Sequence, residues 1–544
     1  MFQRRIASAL LIVTFILPAL AFGQAAAPAV YTAPKETIDK IRDEGMNRSQ
    51  VMATLSYLTD VIGGRLTGSP NMKRANEWTR DKMKEWGMQN AHLESWGPFG
   101  RGWSLRKFSA VVTEPQFIPV IAYPKAWSPA TKGSVSGEVV YLDAKTPDDL
   151  AKHKGQLKGK IVLISPERPL KPVDKPYLTR ATDDELAKMA GAPQPAGGED
   201  EIPAAALQNF AKGFNDRAKM LKFVIDEGAA VAVYNSGNGS GGTIFVDGAS
   251  VAVELPEIKS IDDFFNSAAF QPQSKKYEAN MLPQLTMATE DYNRMVRMIK
   301  LGGKPKMTVD IDSVYHDEDP MGYNTIAEIP GSDPALKDEV VMLGAHLDSW
   351  HSSTGATDNG AGSAAVMEAA RIIAASGLKP RRTIRVGLWS GEEQGIFGST
   401  NYVKQHFGEK KNGTVNKAAD YEKLSAYYNL DNGTGKIRGV YMQGNGAVRP
   451  YFEAWLAPFA DVGAKTLTLS NTGGTDHLPF DAIGLPGFQF IQDTVEYNTR
   501  THHSNQDNFD RIQADDMKQA ATIIAAFAYQ TAMMDGKLPR KAVK

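Results

Sequence analysis

Among its 544 residues the chain contains no cysteine. Stability therefore cannot rest on disulfides, thiolate cannot ligate a metal, and a cysteine nucleophile is excluded. Net charge is nearly absent too, since 61 basic and 62 acidic side chains leave a formal -1 at pH 7. So balanced a composition gives no reason to expect nucleic acid or an anionic membrane as partner. Long apolar runs are confined to the start, where Met1-Phe2-Gln3-Arg4-Arg5 precedes an apolar stretch from Ile6 to Phe22 broken by Pro18. With Ala21 and Gly23 just before Gln24, residues 1–23 have the pattern of a cleaved secretory leader, short of a comfortable bilayer span. No later segment is apolar enough to cross a membrane, and no cysteine follows the leader to accept a lipid. The expectation is an exported protein, periplasmic or secreted, free of the membrane after cleavage.

What is present suggests two or three domains. Residues 24–34 read as a small-residue linker. From Lys35 to about Trp96 the pattern is helical, with Val51, Leu55, Leu58 and Ile62 at helix spacing and a second helix from about Asn71 to Trp86. This segment, 35–107, is the first part of a main domain. Residues 108–309 change to short β-rich runs and long loops, with strands at Gly137 to Leu142, Lys160 to Ile164 and Ala229 to Tyr234. Lys171 to Pro203, rich in proline and glycine, reads as an exposed excursion. The whole stretch reads as an inserted domain that shapes access to a site without doing chemistry. Residues 310–544 return to alternating strand and helix. The expected fold is α/β, a three-layer sandwich with a mixed, mostly parallel central sheet, plus the β-rich insert.

Candidate chemistry clusters at strand ends, where open α/β sheets place their ligands. The run Val340 to Ala345 stops at His346-Leu347-Asp348, and Thr383 to Trp389 stops at Ser390-Gly391-Glu392-Glu393. Between them lies Thr357-Asp358-Asn359-Gly360-Ala361-Gly362, ahead of a helix that Asp358 could cap. Asp431 follows a further strand, in a turn-like Asp-Asn-Gly. His502 and His503 follow later, and as neighbours they are expected to point in different directions. An imidazole at His346 could bind a metal through one nitrogen while Asp348 holds the other. Adjacent acids divide labour, one ligating and the other taking a proton from water. The stretch reads as the heart of a metal-dependent hydrolase.

The order His-x-Asp, Asp-Asn-Gly-Ala-Gly, Glu-Glu, Asp and His-Ser-x-x-Asp resembles the co-catalytic dizinc exopeptidases, which include secreted bacterial leucyl aminopeptidases and plasma glutamate carboxypeptidase (carboxypeptidase Q). The resemblance implies two zinc ions bridged by Asp358, with His346 and Asp431 on one, Glu393 and His503 on the other, Glu392 as general base and Asp348 as orienting acid. It also implies a cis peptide at Asp358-Asn359 and a protease-associated character for the insert. One departure stands out: many members carry tyrosine just before the final histidine, where a hydroxyl supports the oxyanion, and this chain has His502. Gly473-Gly474-Thr475-Asp476-His477 resembles a substrate-side loop.

The expected activity is removal of residues at a peptide end, as an aminopeptidase or dipeptidase, with a carboxypeptidase as the alternative. A free amine calls for an acid such as Asp476, and a free carboxylate for Arg500 or Arg449. Glutaminyl cyclisation, usually associated with one zinc, and a receptor-like binding role are the remaining readings. The partners expected are a peptide substrate and, at most, a second copy of the chain in a homodimer.

Overall fold

The computed structural model describes residues 30–195, 204–258, 267 and 271–541. The leader expected at 1–23 lies outside the described residues. Two eight-stranded sheets organise the rest. The first runs in the order Gln89–Trp96, Gly322–Ile329, Thr383–Trp389, Val340–His346, Leu424–Asn429, Gly487–Gln492, Ile437–Tyr441 and Thr466–Thr468. Its central strands, Thr383–Trp389 through Gly487–Gln492, are parallel. Antiparallel strands flank them on both sides.

Every residue of Val340–His346 is buried. Successive side chains of a strand face opposite ways, and here Val341, Leu343 and Ala345 enter one core while Val340 and Met342 enter another. Such a strand reads as an unbroken apolar run because both of its faces are covered. On the first face the alanine-rich helices Ala361–Ala375 and Ala514–Met533 pack together with Lys35–Asn47. Arg371 locks that contact, donating to Glu44 at 2.7 Å and to Glu368 at 2.7 Å. Phe397–His406 and Leu478–Ala482 cover the other face.

The helix expected from Asn71 runs over Pro70–Glu85, with the Ser69 side chain accepting from the Met72 N–H and proline in the first turn. The helical reading up to Trp96 is corrected. Gln89–Trp96 is an edge strand, antiparallel to Gly322–Ile329, and only Trp96 in it is buried. An edge strand buries too little to print an alternating apolar pattern, so its sequence lacks the usual signal.

The second sheet, in a unit spanning Gly102 to His316 against the expected 108–309, is entered through Gly102–Glu114 and left through Lys306–His316. These two strands pair antiparallel, Gly102 opposite His316, and Trp96 pairs with Gly322 in the first sheet. The chain thus leaves and re-enters the first sheet at neighbouring points. The described part of the excursion from Lys171 is mostly exposed, as expected, and is nevertheless tied to the first unit at several points. The Thr179 N–H and carbonyl each pair with Val495 at 2.9 Å, Arg180 meets Asp493 at 3.1 Å and Asp516 at 2.7 Å, and Asp183–Ala190 is a helix capped by Thr182. Proline and glycine mark irregular backbone, and irregular backbone can still be tied down by partners far away in sequence.

The first core closes around Phe527, fully buried, whose ring lies 5.4 to 5.8 Å from those of Tyr428, Phe452, Trp455 and Phe490. Phe527→Ala is expected to cost about 3–5 kcal/mol in urea unfolding, because the rings around it cannot all collapse into the gap. A cost under about 1 kcal/mol would mean that the cluster repacks freely.

Candidate metal centre

The centre is built at the carboxyl ends of the parallel strands. His346 is the last residue of its strand, Glu392 and Glu393 follow Thr383–Trp389, and Asp431 follows Leu424–Asn429. Asp358 comes from the irregular turn Ala356–Gly360, where the Asp358–Asn359 peptide is cis, and His503 from a loop after Tyr497–Thr501. The turn needs its glycine: a Cβ on Gly362 would sit 2.2 Å from Asn359 Oδ1 and 2.3 Å from the Leu430 carbonyl. Those same groups close it, as the Asn359 amide donates to the Leu430 carbonyl at 2.9 Å and accepts from the Gly362 N–H at 2.9 Å.

Asp358 stands between two imidazoles. One carboxylate oxygen lies 3.2 Å from His346 Nε2, and the other lies 3.1 Å from His503 Nε2. On the first side Asp431 Oδ1 is 3.3 Å and Glu392 Oε2 4.0 Å from His346 Nε2. On the second, Glu393 Oε2 is 2.9 Å from His503 Nε2. His502 does not diverge from its neighbour. Its Nε2 lies 3.5 Å from the same Asp358 oxygen that faces His503, and the two rings are 3.9 Å apart. The left-handed backbone of His503, φ 58, bends the chain enough for both rings to face inward. Asp476 is fully buried, accepts a 2.5 Å hydrogen bond from Ser399, and acts electrostatically on both Glu392 and His346.

The orienting contact on His346 differs from expectation. Its Nδ1 is 3.1 Å from the Asp348 backbone carbonyl and 3.6 Å from the carboxylate. A carbonyl can only accept, so Nδ1 carries the proton and Nε2 is left to bind a cation. The Asp348 carboxylate accepts instead from the Thr67 hydroxyl at 2.9 Å and from the backbone N–H groups of Glu392 and Glu393, each at 3.3 Å. It therefore fixes the acidic turn to the end of the histidine strand.

Sequence patterns did not reveal several supports. Arg65, fully buried, donates to the carbonyls of Leu347, Thr354 and Gly355 at 2.6, 2.8 and 2.7 Å, bracing the loop between His346 and Asp358. Asp507 accepts from the backbone N–H groups of Thr357 and Asp358 at 2.5 and 3.2 Å. Tyr497 stacks on His502 at 4.6 Å, and Trp350 meets His503 edge-on at 6.0 Å. Arg65 and Thr67 lie in a glycine-rich segment that reads simply as a turn. Asp507 was legible only as the final acid of its motif, with no role attached.

Electrostatically the pocket holds more acid than base. Burial, reinforced by Asp358, pushes the Glu393 carboxyl up to about 7, and burial does the same for Asp476 and Asp507. Burial, together with Asp431, Asp476 and Glu393, carries Glu392 well above its ordinary value. Burial would raise Asp358 as well, but the His346 and His503 imidazoles beside its two oxygens hold it well below the carboxylate range. Several donor atoms have no hydrogen-bond partner although they are buried: His346 Nε2, Asp358 Oδ2, Glu393 Oε1 and Asp431 Oδ1. Buried polar atoms left unpaired are costly. Ligand atoms of His346, Asp358 and Glu393, of His346, Glu392 and Asp431, and of Asp358, His502 and His503 fall within 4.8 Å of one another in each group. Imidazole and carboxylate are the donors a borderline divalent cation such as zinc accepts, and the residues fit such a group.

Residues 324–528 match the model of Peptidase family M28. Carboxypeptidase Q of Mus musculus is 26% identical over 503 residues, covering 91% of this chain and 88% of the relative. Among solved structures, a peptidase M28 precursor from Shewanella amazonensis superposes with a TM-score of 0.61 at 24% identity, covering 93% of this chain and 98% of that one. A zinc aminopeptidase from Bacillus subtilis superposes with a TM-score of 0.53 at 16% identity, covering 88% and 94%. At such identities the two structures speak for the fold, mixed α/β with large mixed sheets. Taken with the family match and the relative of nearly equal length, they identify the chain as a metallo-exopeptidase related to peptidase family M28, with the dizinc exopeptidases as its kin.

Proposed function

We propose that the chain is an exported zinc exopeptidase that removes single residues from the amino-terminal end of short peptides. The observation that carries the reading is the set of buried, unpartnered donor atoms on either side of Asp358. In this reading His346, Asp431, Glu393, His503 and Asp358 would hold a pair of zinc ions, with His346 and Asp431 to one side of Asp358 and Glu393 and His503 to the other. Such a pair supplies positive charge that polarises a substrate carbonyl and lowers the pKa of water from about 15.7 towards about 7.

Glu392 is the general base. Its carboxylate oxygen stands 4.0 Å from His346 Nε2, and its low-dielectric surroundings raise its appetite for a proton. It takes the proton from the attacking water as the carbon–oxygen bond forms, and returns it to the nitrogen as the carbon–nitrogen bond breaks. Asp348 holds the Glu392 backbone in place through that residue's N–H. His502, partly exposed beside Asp358, is the group from which the carbonyl oxygen draws a hydrogen bond as it gains charge.

The amino-terminal direction is supported by the surplus of acid. Asp431 raises the proton affinity of Glu392, Asp476 and His346, Asp476 adds to that of Glu392, and such a pocket attracts a protonated amine. Arg500 is paired with Glu496 and lies over the Tyr177 ring, while Arg449 is paired with Glu453 within its own helix. The second reading, a carboxypeptidase, is favoured by the likeness to carboxypeptidase Q along nearly the whole chain. We read residues 1–23 as the export leader and the Gly102 to His316 unit as a protease-associated-like insert. Among the described residues no helix is long and apolar enough to cross a membrane.

Blocked peptides separate the two directions. An N-acetyl group is expected to abolish cleavage while a C-terminal amide leaves it, and the opposite result would make the enzyme a carboxypeptidase. Sensitivity to both blocks would mark a dipeptidase. Glu392→Gln is expected to lower kcat by about 10²–10⁴-fold while elemental analysis still finds two zinc ions, and near-normal turnover would show that another group is the base. Asp358→Asn is expected to lose both zinc and activity, since it deprives both ions of a charged ligand. Two zinc ions retained in that variant would remove Asp358 from the bridging role.

A further inference from the structure

His503 is delivered by a loop rather than by a strand end, and the second unit grips that loop directly. The Val246 N–H donates to the His503 carbonyl at 3.1 Å, and Phe245 bridges Ser504 in antiparallel fashion. The next residue, Asn505, closes the contact from both sides. Its backbone N–H donates to the Ile244 carbonyl at 3.0 Å, its side-chain oxygen accepts from the Ile244 N–H at 2.9 Å, and its side-chain amide donates to the Gly242 carbonyl at 3.2 Å. The gripping segment is itself anchored, because Ile244 and Val246 are buried against Ala288 in the second unit.

The consequence lies in geometry. His503 has the left-handed backbone that non-glycine residues rarely adopt, so the loop needs outside support to hold its imidazole towards Asp358 and Glu393. On the side of the first sheet the loop is tied further along, at Asp507, while at Ser504 the hydroxyl donates only to the local Arg500 carbonyl. The bonds from the 242–246 segment reach His503 and both residues after it. We infer that Asn505 is a positioning residue, through which the second unit holds His503 in place and completes the Glu393 and His503 half of the cation site. This rests on the reading of His503 as a metal ligand. It makes the second unit a structural part of the metal centre as well as a wall beside it.

Asn505→Ala and Asn505→Asp test it in the full-length protein, with zinc titrated against a chelating indicator and cobalt(II) substitution followed by visible absorption. The alanine variant is expected to bind the first equivalent as the wild type does and the second about 10- to 100-fold more weakly, with one of two cobalt environments altered. Asn505→Asp keeps the acceptor for the Ile244 N–H and loses the donor to Gly242, so it is expected to recover part of the second affinity. The metal-free variants are expected to melt with the metal-free wild type. Two equivalents held at wild-type affinity by both variants, or equal weakening of both equivalents together with a lowered metal-free melting temperature, would overturn the inference alone. A wild-type protein that never holds two equivalents would overturn the metal reading beneath it, and the inference with it.

Discussion

The constraint on which the rest of this molecule depends is the gathering of carboxylates, mostly buried, around one pocket. Asp348, Asp358, Glu392, Glu393, Asp431, Asp476 and Asp507 lie at or around one set of strand ends, with the buried Arg65 guanidinium and the imidazoles of His346 and His503 as their nearest basic partners. An isolated buried carboxylate is so costly that it usually takes up a proton instead. That response is visible in Glu393, Asp476 and Asp507, each pushed up to about 7. Asp358 escapes it only because two imidazoles hold it. A pair of divalent cations would relieve the strain in a way that no further hydrogen bond could, since the unpartnered atoms are acceptors and a neutral donor would leave the charge in place.

Much of the fold exists to bring those acids together without letting them collapse onto one another. Parallel strands end in loops at the same edge, so residues far apart in sequence arrive side by side. The loops are then held by donors. Arg65 ties down three carbonyls between His346 and Asp358, Asp507 holds the backbone at Asp358, and Asp348 holds the backbone of the Glu392 and Glu393 turn. Several of these supports are themselves charged and sit one step back from the donor atoms, where they both orient the site and shape its field.

Three parts of this arrangement were legible in sequence for one physical reason: His346, the Glu392 and Glu393 pair and Asp431 sit at or just after the ends of almost wholly buried strands, whereas Asp358 and His503 stood out only through their motifs. Val340–His346 and Thr383–Trp389 are covered on both faces and therefore print unbroken apolar runs, which make the polar residue at each end conspicuous. Gln89–Trp96 printed nothing comparable because an edge strand buries little. Arg65 and Thr67 were hidden for another reason. The partners through which they brace the site lie 281 or more positions away, and a turn-rich segment gives no hint of what it will touch. The shared direction of His502 and His503 was likewise out of reach, since it follows from one left-handed backbone angle. The docking of the segment around Thr179 and Arg180 onto Val495 and Asp493 was masked by a composition that resembles a loose loop.

The second unit abuts both loops that flank the centre. Beyond its grip on 503–505, it meets the loop after Asp348, where His351 Nε2 lies 2.8 Å from the Pro124 carbonyl and Trp350 packs edge-on against Trp127 at 6.4 Å. Trp350 in turn touches His503. One face of the second unit thus contacts both ends of the polypeptide path that encloses Asp358. Linkage then runs in both directions. If docking of the second unit favours the arrangement that binds cations, cation binding must favour docking by the same free energy. Metal content and the seam between the two units are therefore expected to behave as one property of this protein, because the same short loop sets His503 beside Asp358 and Glu393 on one side and accepts the neighbouring unit on the other.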